Sequence, residues 1–254
     1  MGVKGFVMKA SVVLLVIVAV AAGLLLGYTA APVKKPAATP TLAPLPQEFD
    51  EREQASLVIP AVDTTGQGRL AEVVVELEKG TGKIFVGFNE NNPVLNDETQ
   101  ESLKTAVSVA KRYALRNPDN YDLHYSMNSH SSEVGGGSAG AAFTIATMAV
   151  LQGRKLRNDT AVTGTVLPDG SIGRVGGVLE KARAVKAAGF KRLVVPLGEA
   201  WITEMREKCE ERTTPNSAFR QCTSAPINVS VAQQAGIEVI EASRVLDAFE
   251  LTAR

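Results

Sequence analysis

The sequence has few of the residues that build metal cages and disulfide scaffolds. It contains two cysteines and two histidines in 254 residues, whereas a structural zinc site normally takes four such ligands. Two cysteines are also too few for a small domain held by disulfides. The chain carries 27 basic and 27 acidic side chains, a balance that argues against a nucleic-acid binder with a basic face. We therefore expect no metal site and no nucleic-acid partner.

Acidic residues are absent before Glu48, and this part of the chain is strongly apolar. Ala10 to Val33 has no charged side chain, and as a helix it would span about 36 Å, enough for a hydrocarbon core of about 30 Å. Two interpretations remain: an uncleaved signal anchor over residues 10–31, or a signal peptide cleaved near Ala30. The uninterrupted apolar length favours the anchor.

The charges that flank the apolar segment predict its orientation. Lys4, Lys9 and the terminal amine lie before it, and Lys34 and Lys35 follow it. By a margin of one positive charge, the positive-inside rule places residues 1–9 in the cytoplasm. The prediction is a single-pass membrane protein whose remaining chain faces outside the cytoplasm.

A proline-rich stretch follows the apolar segment and separates it from the rest of the chain. Five prolines lie between residues 32 and 46, a composition typical of an extended, semi-rigid spacer. We interpret residues 32–56 as a tether and residues 57–254 as one domain. About 200 residues are enough for one domain with a full hydrophobic core.

Strand-like and helical patterns alternate through residues 57–254 and predict an α/β (α+β) domain. Asp97 with Gln100 resembles a capping box at the start of a helix. The predicted strands are 57–62, 70–77, 83–88, 121–127, 161–167, 171–175, 192–195 and 237–240, and the predicted helices are 103–115, 138–151, 177–188, 199–211 and 245–251.

Three glycines precede Ser138 in the stretch NSHSSEVGGGSAG, and a helix of small residues is predicted after it. Free backbone N–H groups at a helix start favour negative charge, which suits a nucleophile whose attack creates an oxyanion. Ser138 could instead be an ordinary N-cap, or the loop could be a phosphate cradle. The Gly-Lys-Ser/Thr ending of a Walker A loop occurs nowhere in the 254 residues, which weakens the phosphate alternative.

A serine nucleophile needs a base, and the chain offers three candidates. His124 and His130 are the only histidines, and no aspartate stands out as their partner. Lys181 follows the double glycine Gly176-Gly177 at the start of a predicted helix. The helix dipole and burial would both favour its neutral amine, although most lysines at such positions are simply exposed.

Taken together, three stretches closely resemble the proteolytic domain of Lon proteases, which are Ser-Lys peptidases. The stretches are GGGSAG, AVTGTVLPDGSIGRVGG and EKARAVKAAGFKRLVVP, and Glu101-Ser102 resembles an upstream pair of the same family. In that family a threonine follows the serine by 25 residues and a lysine follows it by 43. These spacings lead from Ser138 to Thr163 and Lys181.

The resemblance extends over about Leu57 to Leu251 and implies a Lon-like fold and mechanism. It implies Ser138 as nucleophile, Lys181 as base, Thr163 as orienting residue and the backbone at Gly136 and Gly137 as part of the oxyanion site. It also implies polypeptide substrates, no cofactor, and a possible homo-oligomer, since Lon domains tend toward six-membered rings. The ATPase domain of full Lon has no counterpart in this sequence, so we expect peptide-bond cleavage without ATP.

The sequence departs from the Lon pattern at three positions around the serine. Gly137 stands where Lon usually has Pro, Gly135 where it has Asp, and Thr165 where it has Glu. These changes predict a looser loop and different electrostatics near the lysine. A domain used only for binding or assembly, and a non-enzymatic anchored scaffold, are the rival interpretations.

Cys209 and Cys222 lie in a polar stretch that is an insertion relative to Lon. Their separation of 13 residues suits a disulfide that closes a surface loop, and such a bond is expected outside the cytoplasm. The alternative is two unrelated thiols.

Overall fold

The computed structural model describes residues 53–87, 93–129, 133–214 and 217–254. The predicted cytoplasmic N-terminus (1–9), the predicted anchor (10–31) and the tether as far as residue 52 lie outside these ranges, as does His130. Within the described ranges, no helix is long and apolar enough to cross a membrane.

A seven-stranded mixed sheet forms the centre of the domain, in the order β13-β10-β7-β1-β2-β5-β3. One half is antiparallel, with β2 between β1 and β5. In the other half, β1, β7, β10 and β13 run parallel. The strands of this sheet are β1 (Glu53–Val62), β2 (Gly68–Lys79), β3 (Ile84–Val86), β5 (Tyr121–Ser129), β7 (Thr160–Val162), β10 (Arg192–Pro196) and β13 (Glu238–Ala242).

Three smaller two-stranded sheets complete the strand inventory of the described residues. Two of them are short: β4 (Val94–Leu95) pairs with β6 (Glu133–Val134), and β8 (Thr165–Val166) pairs with β9 (Ile172–Gly173). The third is the long hairpin of β11 (Trp201–Thr214) and β12 (Ser217–Ser230).

Apolar side chains alternate between the two faces of the central sheet, and helices cover both faces. On β10, Val194 belongs to one core cluster, whereas Leu193 and Val195 belong to the other, as the two-residue period of a strand requires. The helices are α1 (Asp97–Lys111), α2 (Gly140–Gln152), α3 (Val178–Ala187), α4 (Val231–Ala235) and α5 (Val245–Thr252). The architecture is therefore three layers, with the sheet in the middle.

Helix α2 is the central helix of the larger core. All of its residues from Gly140 to Leu151 are buried. Its small side chains allow α1 to pack closely against it: a Cβ on Gly140 would lie 2.8 Å from Ser102 Oγ. This close packing places the start of α1 beside the segment that precedes α2.

The mixed α/β architecture predicted from the sequence is confirmed, and most predicted strands and helices are present. The predicted strand 161–167 is divided: β7 ends at Val162 and β8 begins at Thr165. The helix that begins at Asp97 is capped by Asn96, whose side chain accepts from Thr99 N at 3.0 Å. The capping residue is thus one position earlier than the predicted capping box.

The predicted helix 199–211 is wrong. Its charged residues have good helix propensity, but Trp201 to Thr214 form a strand that pairs along its whole length with Ser217 to Ser230. Cys209 and Cys222 lie directly opposite each other in this hairpin and form a disulfide, with Cα atoms 4.0 Å apart. A partner strand and a covalent cross-link outweigh local propensity here. The spacing of the cysteines predicted the cross-link, whereas no local pattern predicted the partner strand.

Candidate active site

Ser138 lies in a short 3-10 turn, Gly137–Ala139, that leads directly into α2. Gly136, just before the turn, has φ 92° and ψ 154°, a conformation that residues with a Cβ rarely adopt. The glycines therefore allow the sharp change of direction that presents Ser138, whose side chain is half-buried, at the start of the helix.

Side chains from the first turns of α1 hold this glycine loop from one side. Thr99 Oγ1 donates to Gly136 O at 3.2 Å, and Ser102 Oγ donates to Gly137 O at 3.1 Å. Glu98 Oε1 accepts from Gly137 N at 3.1 Å. The loop thus has fixed hydrogen-bond partners although its three glycines make its backbone intrinsically permissive.

The segment Thr163–Gly164 holds the Ser138 backbone from the other side. Ser138 O accepts from Gly164 N at 2.9 Å, and Gly164 O accepts from Ala141 N at 2.9 Å. Gly164 is required for this approach, because a Cβ there would lie 2.4 Å from Ile172 Cγ2. The break between β7 and β8 is therefore the place where the sheet contacts the loop that carries Ser138.

Lys181 lies in the first turns of α3 and is buried, with 3% of its surface exposed. The helix begins after Gly177, which has φ 65° and lies so close to Val62 that a Cβ would be 2.5 Å from its Cγ2. Lys181 Nζ donates to Thr163 Oγ1 at 3.1 Å, and Thr163 is itself 1% exposed. Thr163 Oγ1 in turn lies 3.5 Å from Ser138 O and donates to it.

Burial lowers the pKa of Lys181 from its ordinary value of 10.5 to about 8, because the ammonium loses its water on desolvation. The negative charge of Glu199 acts in the opposite direction and raises the pKa. Desolvation is the larger effect, so a substantial fraction of the amine is neutral near pH 8. A neutral amine can accept a proton, which an ordinary surface lysine cannot do at this pH.

Glu199 is a buried carboxylate that no sequence pattern singled out. Only 5% of its surface is exposed. It accepts from Arg174 Nε at 3.0 Å and from Val175 N at 3.3 Å. These contacts fasten the turn after β10 to the segment that leads into α3, the helix that carries Lys181.

The structure brings together four of the residues selected from the sequence, namely Ser138, Thr163, Lys181 and Gly137. The hydrogen bond of Lys181 Nζ goes to Thr163, and no hydrogen bond joins it to Ser138 Oγ in the part of the chain that the structure describes. His124 stacks on Phe85 with ring centroids 4.7 Å apart. This contact places the imidazole at the β3–β5 edge of the sheet.

The residues that sequence reasoning missed are Glu98, Thr99 and Glu199. Glu98 and Thr99 lie close to the noted Glu101-Ser102 pair, and the helical spacing from Ser102 back to Thr99 gives both side chains one face of α1. No local sequence pattern marks Glu199, because the residues that surround it come together only when the chain folds.

Comparison with known proteins identifies relatives of this chain. The family model of the Lon protease (S16) C-terminal proteolytic domain matches residues 45–213. The chain is 30% identical over 161 residues to a Lon protease of Methylocella silvestris, covering 59% of this chain and 19% of that protein. It is 31% identical over 133 residues to the peroxisomal Lon protease homolog 2 of Caenorhabditis briggsae (52% and 17%). It is 26% identical over 144 residues to the archaeal Lon protease of Archaeoglobus fulgidus (57% and 21%).

The matched part of the chain contains Ser138, Thr163 and Lys181. The chain therefore belongs to the Lon protease (S16) C-terminal proteolytic-domain family, a family of serine-type peptidases. It spans about a fifth of the length of the curated relatives it matches.

The coupling between Lys181 and Glu199 predicts a distinctive pH dependence. Peptide cleavage by the unaltered protein should rise with pH through a midpoint near 8, because only the neutral amine accepts a proton. Glu199→Gln should move this midpoint to lower pH, because it removes the charge that stabilises the ammonium. The measurement is the pH profile of cleavage of an unfolded protein.

Glu241→Gln is the matched control for this experiment. Glu241 Oε1 accepts from Gly198 N at 3.0 Å and from Ala200 N at 2.8 Å, so it holds the same turn without being a cause of the Lys181 pKa shift. A midpoint that Glu199→Gln leaves unchanged, or that Glu241→Gln moves equally far, contradicts the electrostatic role of Glu199.

Proposed function

We propose that this protein is a membrane-anchored serine endopeptidase that works without ATP, with Ser138 as nucleophile and Lys181 as general base. The observation that carries the proposal is the buried lysine amine, which is hydrogen-bonded to Thr163 while Thr163 is hydrogen-bonded to the Ser138 backbone. The lowered pKa of Lys181 gives this amine the protonation state that the chemistry needs.

In the proposed first step, the neutral Lys181 amine takes the proton of Ser138 Oγ while the oxygen attacks a peptide carbonyl carbon. Thr163 positions the amine through two hydrogen bonds: its hydroxyl oxygen accepts one from an N–H of Lys181, and its hydroxyl hydrogen is donated to Ser138 O. This arrangement leaves the nitrogen lone pair available to receive the serine proton.

In the second half of the cycle, Lys181 gives the proton to the departing amine and an acyl-enzyme remains on Ser138. Water then attacks the ester, with Lys181 again accepting a proton, and the carboxylic acid product leaves. The atoms and protons balance without any cofactor, because each proton that Lys181 accepts is passed to a leaving group.

The backbone amides of the Gly136–Ser138 turn are the proposed donors to the oxyanion. The first amides of a helix have no intrahelical acceptor, and donors of this kind stabilise the charge that develops on the carbonyl oxygen. In the described conformation the Gly137 amide donates to Glu98. Glu98 is exposed, and it has to release this amide before the amide can serve a substrate.

The remaining parts of the proposal rest on the sequence and on its resemblance to Lon. Residues 10–31 would anchor the chain in a membrane, and the balance of flanking lysines would place the domain outside the cytoplasm. The lack of a Walker A ending in the 254 residues supports cleavage without ATP. The substrates would be unfolded or exposed polypeptide segments, and the chains would assemble as rings like those of Lon.

A non-catalytic Lon-like domain for binding or assembly is the second candidate, and two observations favour it. Lys181 Nζ bonds to Thr163 instead of Ser138, and Glu98 occupies the Gly137 amide. In this alternative the described conformation is the permanent one, and the protein binds polypeptides without cleaving them.

The catalytic proposal predicts ATP-independent cleavage of an unfolded protein. Ser138→Ala should lower the rate by at least about a thousandfold, since the nucleophile is lost. Lys181→Arg should be similarly inactive, because a guanidinium stays charged and cannot accept the proton. The measurement is the appearance of peptide fragments over time, without nucleotide.

Lys186→Arg, an exposed position on the same helix, is the matched control and should keep the unaltered rate. Binding without cleavage by the unaltered protein would support the second candidate. An active Lys181→Arg protein would remove the lysine from the mechanism.

The proposed location predicts which side of the membrane the tether occupies. A single cysteine introduced between residues 36 and 46 should react in intact cells with a thiol reagent that cannot cross membranes. A cysteine introduced between residues 1 and 9 should react only after lysis. The reverse pattern would place the domain in the cytoplasm and change the class of substrates.

A further inference from the structure

The hairpin of β11 and β12, which we call the arm, is a feature of the domain that lies apart from the site at Ser138. Each strand has 14 residues, so the arm is about 45 Å long. It forms a sheet of its own with no third strand among the described residues. An isolated two-stranded ribbon is only marginally stable in water, whereas sheets of three or more strands are stable.

One face of β11 carries a row of charged side chains that have no charged residue across the ribbon. Each of them lies directly opposite an uncharged residue of β12. The pairs are Glu204 with Ile227, Arg206 with Ala225, Lys208 with Thr223, Glu210 with Gln221 and Arg212 with Phe219. Lys208 and Glu210 form an ion pair along the strand at 3.4 Å, so the row has few complementary contacts within the arm itself.

The charges in this row are placed so that two copies of β11, running antiparallel to each other, can bring opposite charges face to face. If two copies of β11 pair antiparallel about a two-fold axis at Lys208, Glu204 of each copy lies opposite Arg212 of the other. In the same register, Arg206 of each copy lies opposite Glu210 of the other. Four pairs of opposite charge result, with one like-charge pair of Lys208 on the axis.

Neighbouring registers lose this complementarity. With the axis at Glu207, Glu204 meets Glu210 and Arg206 meets Lys208. With the axis at Cys209, Arg206 meets Arg212 and Glu207 meets Glu211, and these like-charge contacts outnumber the one favourable contact, between Lys208 and Glu210. Like charges directly opposite each other destabilise a sheet, so the charges permit one of these three symmetric registers and oppose the other two.

The backbone of β11 is also suited to such pairing. It contains no proline, whereas β12 contains Pro226, which lacks a backbone donor. The side chains from Arg206 to Lys208 are exposed, so this edge is open to a partner strand.

We infer that the outer edge of β11 is an interface between two copies of this chain, which join their arms in a four-stranded sheet centred on Lys208. The strand order of that sheet is β12-β11-β11-β12. The disulfide Cys209–Cys222 fastens β11 to β12 next to the axis, so the edge is held as a preformed strand before the second copy binds. The interface is distinct from the site at Ser138 and holds whether or not that site is catalytic.

The test uses the full-length chain with Lys208→Cys, oxidised mildly and analysed by peptide mapping. Directly opposite residues have Cβ atoms about 4.5–5.5 Å apart, close enough for a disulfide after a small adjustment. We expect a link between the two residues 208. Glu210→Cys is the matched control and should give no 210–210 link, because in this register those residues are about 13 Å apart along the strands.

Charge reversals in the Lys208→Cys background test the register. Arg206→Glu or Glu210→Arg alone should lower the yield of the 208 link roughly tenfold, because two opposite-charge pairs per dimer become like-charge pairs. A mixture of the two variants should restore the link between unlike chains, because the new acidic side chain at 206 then faces the new basic side chain at 210. Glu207→Arg, on the other face of β11, should leave the yield unchanged.

Restoration in the mixture also shows that both single variants fold. The inference is overturned if the 208 link is no more abundant than the 210 link. It is also overturned if the reversals do not change the yield, or if mixing them fails to restore it.

Discussion

The hydrogen bond from the buried Lys181 amine to the Thr163 hydroxyl is the interaction on which the rest of the site depends. It joins α3 to the end of β7, and the next bond, from Thr163 to Ser138 O, joins β7 to the nucleophile loop. A buried ammonium without a partner is costly, so the sheet has to supply this hydroxyl. The same burial lowers the pKa of Lys181, which links the stability of the site to its proposed chemistry.

The domain compensates for an unusually permissive loop with contacts from outside it. Gly135 and Gly137 replace the Asp and Pro that Lon proteases usually have, and the fixed conformation comes from Thr99 and Ser102 on α1. Because these side chains bond the loop carbonyls, the amides are the groups left for a substrate. Glu98 occupies one of those amides, and under the proposed mechanism this contact has to break before the amide can serve a substrate.

Patterns of local origin were predictable from the sequence, and features formed by distant partners were not. Strand alternation at 57–62 and 70–77 predicted β1 and β2. The resemblance to Lon, and no local pattern, led from Ser138 to Thr163 and Lys181, which hydrogen bonds link in the structure. The segment 199–211 was predicted as a helix from its charged residues, and the strand that pairs with it, Ser217–Ser230, lies outside that segment. Glu199 was not predicted as a site residue, because its carboxylate becomes buried beside Arg174 only when the chain folds.

The most direct test of the account is the titration of the Lys181 amine itself. In a protein with isotope-labelled lysines, the Lys181 side-chain resonance, assigned by comparison with Lys181→Arg, reports the protonation of Nζ as the pH changes. We expect a midpoint near 8, well below the ordinary lysine value. A midpoint at the ordinary value of 10.5 would contradict the claim that burial prepares this lysine to act as a base.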